Sequence, residues 1–171
     1  MITYVDFSLF DSPAKVLVNT VNTVGVMGKG IAKEFKSIYP EMFTEYQQLC
    51  ERGMLNVGDL WVYKTPHKRV LNFPTKKHWR SRSKPEYLEA GLKKFAQVYQ
   101  EARITSISFP QLGCGNGELD WKTESRPLME KYLKGLPIEI FVHVYSASAG
   151  FKPEHRVPKA TQLSLEQIVN S

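Results

Sequence analysis

The sequence predicts a three-layer α/β domain with a mixed central sheet, and three observations support this fold class. Short apolar segments typical of strands alternate along the chain with segments of helical periodicity. Residues 138–145 are almost continuously apolar, as expected for a strand that is covered on both faces. The length of 171 residues suits one domain, and 42% hydrophobic with 23% charged residues is ordinary globular composition.

The individual elements follow from apolar spacing and from helix boundary signals. Strands are predicted at residues 2–5, 15–19, 60–64, 69–73, 104–109 and 138–145, and helices at 30–39, 42–52, 85–102 and 122–134. Pro40 ends the first helix, Gly53 closes the second, and Pro85 suits the first turn of the third. Residues 1–149 are therefore predicted to form the domain. The polar segment 150–171 is predicted to be a C-terminal tail or the start of a linker.

Composition excludes several classes of protein. No apolar run reaches the ~20 residues of a membrane span, and the N-terminus lacks the basic flank of a signal peptide, so we expect a cytoplasmic protein with no membrane partner. Cys50 and Cys114 are 64 positions apart, with neither a Cys-x-x-Cys pair nor a matching histidine pair. This spacing argues against structural zinc and fits a reducing compartment. We expect neither a metal nor a cofactor.

Positive charge is concentrated in one segment. The chain has 23 basic and 17 acidic residues, yet no acidic residue occurs between Asp59 and Glu86. That interval contains Lys64, Lys68, Arg69, Lys76, Lys77, Arg80, Arg82 and Lys84, with Trp61, Tyr63, Phe73 and Trp79 interleaved. Such a composition is typical of surfaces that bind phosphate backbones and stack bases, so a polyanionic ligand is predicted. The alternative is a solvated basic face whose first three aromatic residues belong to the core.

A glycine-rich loop follows the second predicted strand, in the segment N-T-V-N-T-V-G-V-M-G-K-G-I-A at residues 19–32. Its glycines let backbone amides approach a ligand, and the helix that begins there presents its positive end. This arrangement suits a diphosphate, although the spacing matches neither a Walker loop nor a dinucleotide fingerprint. Asn19 and Asn22 can bond a sugar hydroxyl. The alternative, which composition alone favours, is that they only form the turn.

A second glycine-rich loop, P-Q-L-G-C-G-N-G at residues 110–117, also follows a buried strand. Two such loops at neighbouring strand ends would hold a ligand from both sides. Cys114 is interpreted as a packed thiol rather than a nucleophile, because no histidine is adjacent in sequence to activate it.

Four segments together resemble a macrodomain. They are the start I-T-Y-V, the first glycine loop, F-P-T-K-K-H-W-R at 73–80 and P-Q-L-G-C-G-N-G-E-L-D-W at 110–121. Within that superfamily they are most similar to the DarG type, which removes ADP-ribose from thymidine bases of DNA modified by a DarT toxin. The resemblance covers residues 2–145. It implies an α/β/α fold, ADP-ribose across the sheet crest, hydrolysis without a metal, ADP-ribosylated single-stranded DNA as substrate and a DarT-type toxin as partner.

Carried over by position, the resemblance places Asn22 near the distal ribose, Gly28 and Ile31 in the first diphosphate loop and residues 113–117 in the second. Lys76 matches the lysine on which this branch relies, and it is the predicted catalytic residue. The predicted substrate-binding residues are Ser8, Asn19, Asn22, Gly25, Val26, Met27, Gly28, Ile31, Thr75, Trp79, Gln111, Gly113, Cys114, Gly115, Asn116, Gly117 and Tyr145. Lys77, Arg80 and Arg82 are predicted to contact DNA.

Two positions depart from the pattern of related macrodomains. Ser8 stands where an aspartate usually bonds the adenine amino group, so a weaker contact with adenine is expected. Gly117 stands where relatives that cleave glutamyl esters carry an aspartate, which favours the DNA-directed branch.

The reaction implied is hydrolysis of an N-glycosidic bond through an oxocarbenium-like state. Lys76 could protonate the departing base or, if neutral, attack the anomeric carbon, and the neighbouring charges of Lys77 and Arg80 are expected to lower its pKa. Composition alone would make Lys76 an ordinary surface lysine. Three alternative functions remain open: an ADP-ribose reader without turnover, a hydrolase of ADP-ribosylated glutamate on protein, and a partner that neutralises a toxin by contact.

Overall fold

The structure, a computed structural model, describes residues 1–144 of the chain. Tyr145 and the predicted tail at 150–171 lie outside the described residues. The elements are β1 (Ile2–Val5), β2 (Val16–Asn22), α1 (Gly30–Ile38), α2 (Pro40–Glu51), β3 (Trp61–Lys64), β4 (Arg69–Lys76), α3 (Pro85–Val98), β5 (Ser106–Pro110), α4 (Arg126–Leu133) and β6 (Glu139–His143). A 3₁₀ turn at Leu9–Asp11 follows β1, and a π turn at Trp121–Ser125 precedes α4.

The strands form one mixed sheet in the order β1-β6-β5-β2-β4-β3. β3 is an edge strand that runs antiparallel to β4, and the other neighbouring pairs are parallel. The carboxyl ends of β5, β2 and β4 therefore lie side by side at one edge of the sheet. The predicted mixed sheet is confirmed.

Helices cover both faces of the sheet. Successive strand residues point to opposite faces, so Val16 and Val18 of β2 pack into one core while Leu17 packs into the other. The first core contains the inner faces of α3 and α4, and the second contains those of α1 and α2. The result is the predicted three-layer α/β/α arrangement.

Two of the strands that end at the carboxyl edge of the sheet are longer than the sequence predicts. β2 continues from the predicted end at residue 19 to Asn22, and β4 continues from residue 73 to Lys76. Apolar character ends early in both strands, but ladder hydrogen bonds are made by the main chain and continue without it. The pairing continues to Asn22 opposite Lys76, with a register shift between Val21 and Asn22.

Helix boundaries also differ from the predicted ones. α2 begins at Pro40, two residues before the predicted start, and α3 ends at Val98 where 102 is predicted. The turn after α3 closes with Ile104 N donating to Tyr99 O at 2.9 Å, while Arg103 adopts a positive φ of 55°. The predicted helix at 122–134 is a π turn that leads into the shorter α4.

A buried polar network ties the segment after β1 to the centre of the sheet. The His143 ring lies 2.9 Å from Phe7 O through Nδ1 and 2.9 Å from Ser108 Oγ through Nε2. Ser108 Oγ is in turn 2.6 Å from Ser12 Oγ, which accepts from Ala14 N at 3.1 Å. This chain of bonds fixes the position of the residues between Phe7 and Ser12.

Candidate active site

A cavity of about 980 Å³ lies where β2, β4 and β5 end. Its walls include Asn22 at the end of β2, Lys76 at the end of β4, Pro110 at the end of β5 and Gly30 at the start of α1. The volume is at the upper end of the range for small-molecule sites. The carboxyl edge of a parallel sheet is also where open α/β folds bind their ligands. We call this space the cavity.

Most of the predicted site residues line the cavity. They are Ser8, Asn22, Val26, Gly28, Ile31, Thr75, Lys76, Trp79, Arg80, Gln111, Gly113, Cys114, Gly115, Asn116 and Gly117. Ten residues outside the predicted site set also line it: Phe10, Thr20, Val21, Lys29, Gly30, Ala32, Glu34, Ser81, Pro110 and Glu118. Lys29 and Gly30 lie inside the first glycine loop, so the loop pattern already contained the signal for them.

Three predicted substrate-binding residues are not brought to the cavity. Asn19 and Met27 are buried behind its wall, and Asn19 Nδ2 donates to Asn72 Oδ1 at 3.1 Å. Gly25 faces α2 instead, where a Cβ would lie 3.6 Å from the Gln47 backbone. The Asn19 amide therefore bonds within the sheet and does not line the cavity.

Asn22 shapes the first glycine loop as well as lining the cavity. Its Oδ1 accepts hydrogen bonds from Val24 N at 3.1 Å and Val26 N at 3.3 Å, and its Nδ2 donates to Val26 O at 2.8 Å. The Tyr46 hydroxyl of α2 also bonds Asn22 Oδ1, at 2.9 Å. These bonds match the turn-forming alternative. The Nδ2 group carries a second N–H that can still serve a ligand.

The N-terminus of α1 opens into the cavity. Gly28, Lys29 and Gly30 line it, and the free backbone N–H groups of the first helical turn favour an anion there. Gly30 has a positive φ of 57°, and a Cβ on it would lie 3.2 Å from Asn116 Nδ2 of the second loop. The two glycine loops thus approach each other across the cavity.

The second glycine loop is folded tightly on itself. Leu119 N donates to Gly113 O at 2.9 Å, and Ser83 N donates to Gly117 O at 3.0 Å. A Cβ on Gly117 would collide with the Gly113 carbonyl oxygen. The loop in this conformation therefore has no room for a side chain at position 117.

Lys76 is the partly buried ammonium of the cavity. Its Nζ lies 3.4 Å from Trp79 O. Burial lowers the pKa of Lys76 below its ordinary value, the nearby Lys29 charge lowers it further, and the Glu118 carboxylate opposes the shift. The sequence prediction that Lys77 and Arg80 lower this pKa is corrected here, because Lys29 of the first loop takes that role.

Cys114 is held as a packed thiol. Its Sγ lies 3.5 Å from Leu112 O, and burial is the main cause that raises the pKa of the thiol to about 11. A thiol that stays protonated at neutral pH is a poor nucleophile. The geometry agrees with the interpretation made from the sequence.

Of the three residues predicted to contact DNA, Arg80 lines the cavity and Lys77 and Arg82 do not. Trp79 is exposed and carries the Arg80 guanidinium 4.5 Å from its ring centroid, and both residues line the cavity. Arg82 lies outside it, where its Nε pairs with Glu118 Oε2 at 3.2 Å. Lys77 also lies outside and lines a separate recess.

The other three aromatic residues of the basic segment belong to the core. Phe73 is fully buried under α3, and Trp61 and Tyr63 are half-buried against the core of α1 and α2. The alternative left open for them is therefore correct, and Trp79 is the exposed member of the set.

Residues 1–144 contain no group of three histidine, cysteine, aspartate or glutamate side chains placed to hold a metal ion. Within the same residues, no helix is long and apolar enough to cross a membrane.

A sequence model of the macro domain family matches residues 18–126, which is more than half of the chain. The chain belongs to the macro domain family. It is 46% identical over 154 residues to the DNA ADP-ribosyl glycohydrolase of Mycobacterium tuberculosis, a match that covers 88% of this chain and 43% of that protein. This macro domain thus spans less than half the length of the relative.

Two solved structures are similar to the macro domain over most of its length. The macrodomain of Mycobacterium tuberculosis DarG has a TM-score of 0.80 and 44% identity, with 85% of this chain and 99% of that chain covered. Thermosipho africanus DarTG in complex with ADP-ribose has a TM-score of 0.80 and 32% identity, with 94% and 44% covered. The predicted resemblance to DarG-type macrodomains is confirmed.

Proposed function

We propose that this macro domain removes ADP-ribose from thymidine bases of DNA and acts as the antitoxin to a DarT-type DNA ADP-ribosyltransferase. The observation that carries the proposal is a partly buried lysine, Lys76, in the wall of a cavity built from two glycine loops. The name of the similar mycobacterial protein, DNA ADP-ribosyl glycohydrolase, supports the same reaction. The proposal implies a cytoplasmic location, because the DNA substrate is there.

The two loops supply a site for the diphosphate of ADP-ribose. The open N-terminus of α1 and the backbone of residues 113–117 face the same space, so N–H groups reach the phosphates from two sides. Ser8 and Phe10 line another part of the cavity, where the resemblance puts adenine. This arrangement leaves the distal ribose near Asn22 and Lys76, at the ends of β2 and β4.

The hydrolysis breaks the bond between the anomeric carbon of ADP-ribose and the thymine nitrogen. Water supplies a hydroxyl group to the carbon and a proton to the base, which releases ADP-ribose and restores thymidine. Lys76 contributes through one of two protonation states: the charged amine donates a proton to the base, or the neutral amine displaces the base from the carbon and forms a covalent bond that water then hydrolyses. The lowered pKa of Lys76 raises the neutral fraction that the second route requires.

Cleavage of glutamyl esters on protein is the second candidate, and the geometry of the second loop argues against it. Relatives that cleave such esters carry an aspartate at the position of Gly117. In this chain a Cβ at that position would collide with the Gly113 carbonyl oxygen. Carrying an aspartate there would require a different loop conformation.

The test compares two substrates, an oligonucleotide ADP-ribosylated on thymidine and a protein ADP-ribosylated on glutamate. We expect release of ADP-ribose from the oligonucleotide only. Release from the protein only would favour the ester hydrolase. Release from neither substrate, with ADP-ribose still bound, would favour a reader module.

The role of Lys76 is tested with Lys76→Ala and a matched control, Lys94→Ala, which removes an exposed lysine from α3. Loss of an acid, base or nucleophile typically costs 10²–10⁴-fold in rate, so we expect kcat to fall by at least ~100-fold for Lys76→Ala. Binding of ADP-ribose should survive, because the lysine acts mainly in the transition state. Loss of binding and turnover together would make Lys76 a phosphate anchor.

A further inference from the structure

A recess of about 510 Å³ lies beside the cavity and takes no part in the site described so far. It is lined by Thr23, Asn56, Val57, Lys77 and Tyr87. We call this space the recess.

The cavity and the recess share one wall, formed by the ends of β2 and β4. Asn22 and Lys76 line the cavity, and the next residue of each segment, Thr23 and Lys77, lines the recess. Thr23 Oγ1 donates to Lys77 O at 2.7 Å, which holds the two segments together at this ridge. The cavity and the recess are therefore only one residue apart along each of the two segments.

The ring of Tyr87 forms the aromatic part of the recess and is flanked by two ammonium groups. Lys77 Nζ lies 5.6 Å from the ring centroid, and Lys84 Nζ lies 5.8 Å from it. Neither lysine forms an ion pair with another residue of 1–144. Asp59, in the loop that carries Asn56, accepts a hydrogen bond from Asn56 N at 2.9 Å.

Lys84 stands at a place where a lysine does not help the fold. It is the N-cap of α3, and its side chain makes no capping hydrogen bond. A positive charge at a helix N-terminus also opposes the helix dipole. The stability of α3 therefore does not explain the presence of Lys84.

We propose that the recess binds the nucleotides next to the modified thymidine in single-stranded DNA. The inference rests on the proposed function. A neighbouring base stacks on Tyr87, and the flanking phosphates contact Lys77 and Lys84. Stacking on an aromatic ring between cations is how proteins hold single strands without reading their sequence. A paired base cannot offer its face to the ring, so the recess selects single-stranded over duplex DNA.

The test compares an oligonucleotide carrying ADP-ribosylated thymidine, with nucleotides on both sides, to ADP-ribosylated thymidine nucleoside. The unmutated protein should have the higher kcat/KM on the oligonucleotide. In Tyr87→Ala the ratio of oligonucleotide to nucleoside kcat/KM should fall roughly tenfold, as expected for one lost base stack. Tyr87→Phe keeps the ring and should retain the ratio. Lys94→Ala, about 15 Å further along α3 than Lys84, is the matched control.

The salt dependence of DNA binding distinguishes the contribution of the lysines from that of the Tyr87 ring. For single strands the slope of log K against log salt is about −0.7 per phosphate neutralised, so Lys84→Ala should flatten it by ~0.7 for unmodified single-stranded DNA. Tyr87→Ala should weaken this binding with little change of slope, and it should leave duplex binding unaffected.

Several outcomes would overturn the inference. An equal loss on nucleoside and oligonucleotide would assign Tyr87 a structural role. If Tyr87→Ala leaves the kcat/KM ratio unchanged and Lys84→Ala leaves the salt slope unchanged, the strand leaves the cavity by another route. The proposed function would still stand in that case if the protein hydrolyses the oligonucleotide. If the unmutated protein hydrolyses neither substrate, the proposed function fails, and binding of unmodified single-stranded DNA still decides whether the recess binds it.

Discussion

Lowering the pH from 7 to 5 should destabilise this macro domain through one buried side chain, His143. Burial lowers the pKa of His143 to about 4, from an ordinary value of 6.5. The neutral ring fits its surroundings, with Nδ1–H donating to Phe7 O and Nε2 accepting from the Ser108 hydroxyl. A second proton would place a charge in a fully buried site and remove the acceptor that Ser108 uses.

The size of the effect follows from the two pKa values. Between pH 6.5 and 4 the unfolded chain binds a proton at His143 that the folded chain does not, so the free energy of unfolding falls as the pH falls. A difference of two and a half units corresponds to about 3 kcal/mol in full, of which about 2 kcal/mol is lost between pH 7 and 5. That is a large part of the 5–15 kcal/mol by which domains are typically stable.

The assay is urea unfolding at pH 7, 6 and 5, for the unmutated domain and for His143→Gln. The glutamine amide can still donate and accept hydrogen bonds, but it does not titrate. The free energy of unfolding of the variant should be lower at pH 7, because the buried ring and its contacts are lost. It should fall less by pH 5, because glutamine does not bind a proton. His67→Gln, at an exposed histidine, should keep the pH dependence of the unmutated domain. Carboxylate titration affects all three proteins and cancels in the comparison.

Equal losses in the unmutated domain and His143→Gln would refute this reasoning. If His143→Gln does not fold, NMR titration of the histidine rings in the unmutated domain decides the question. A His143 ring that becomes charged above pH 6 would show that burial does not hold it neutral.

Three further predictions concern the site and the packing beneath it. Ser8→Asp should tighten ADP-ribose binding by on the order of 1 kcal/mol, because a carboxylate accepts a stronger bond from the adenine amino group; calorimetry showing no gain would put the base elsewhere. Gly91→Ala should cost about 1–3 kcal/mol in urea unfolding, because its Cβ would overlap the Phe73 ring, and a neutral result would disprove that contact. Lys29→Ala should raise the pKa of Lys76 and move the pH profile of kcat to higher pH. An unchanged profile would show that the Lys29 charge does not affect the titration of Lys76.

The layers of the fold could be predicted because burial controls the side-chain pattern. Alternation along β2 sends Val16 and Leu17 into different cores. A strand covered on both faces is therefore visible in the sequence as consecutive apolar residues. The ends of β2 and β4 could not be predicted in the same way. They extend through Asn22 and Lys76 by main-chain pairing, on which side-chain polarity has little effect.

The glycine loops could be predicted because close approach of the backbone requires glycines, which are visible in the sequence. The burial of an amide side chain has no such sequence pattern. Asn19 and Asn22 look alike in the sequence, yet Asn19 lies wholly inside the sheet while Asn22 reaches the cavity. The charges around Lys76 were beyond prediction for a different reason. Lys29 and Glu118 come from segments 89 positions apart, and only the folded chain brings both near the same ammonium.

An irregularity in the sheet explains how two consecutive residues, Thr75 and Lys76, both come to line the cavity. Strict alternation along β4 would send only one of Thr75 and Lys76 to the cavity, yet both line it. The register explains this: Val21 pairs with Pro74 and Asn22 with Lys76, so Thr75 is an extra residue at this point of the ladder. Such bulges redirect side chains, and here Thr75 and Lys76 face the cavity while Lys77 lines the recess. Deleting Thr75 should therefore abolish hydrolysis even though the chain keeps Lys76, and a deletion variant that folds and retains turnover would contradict this account.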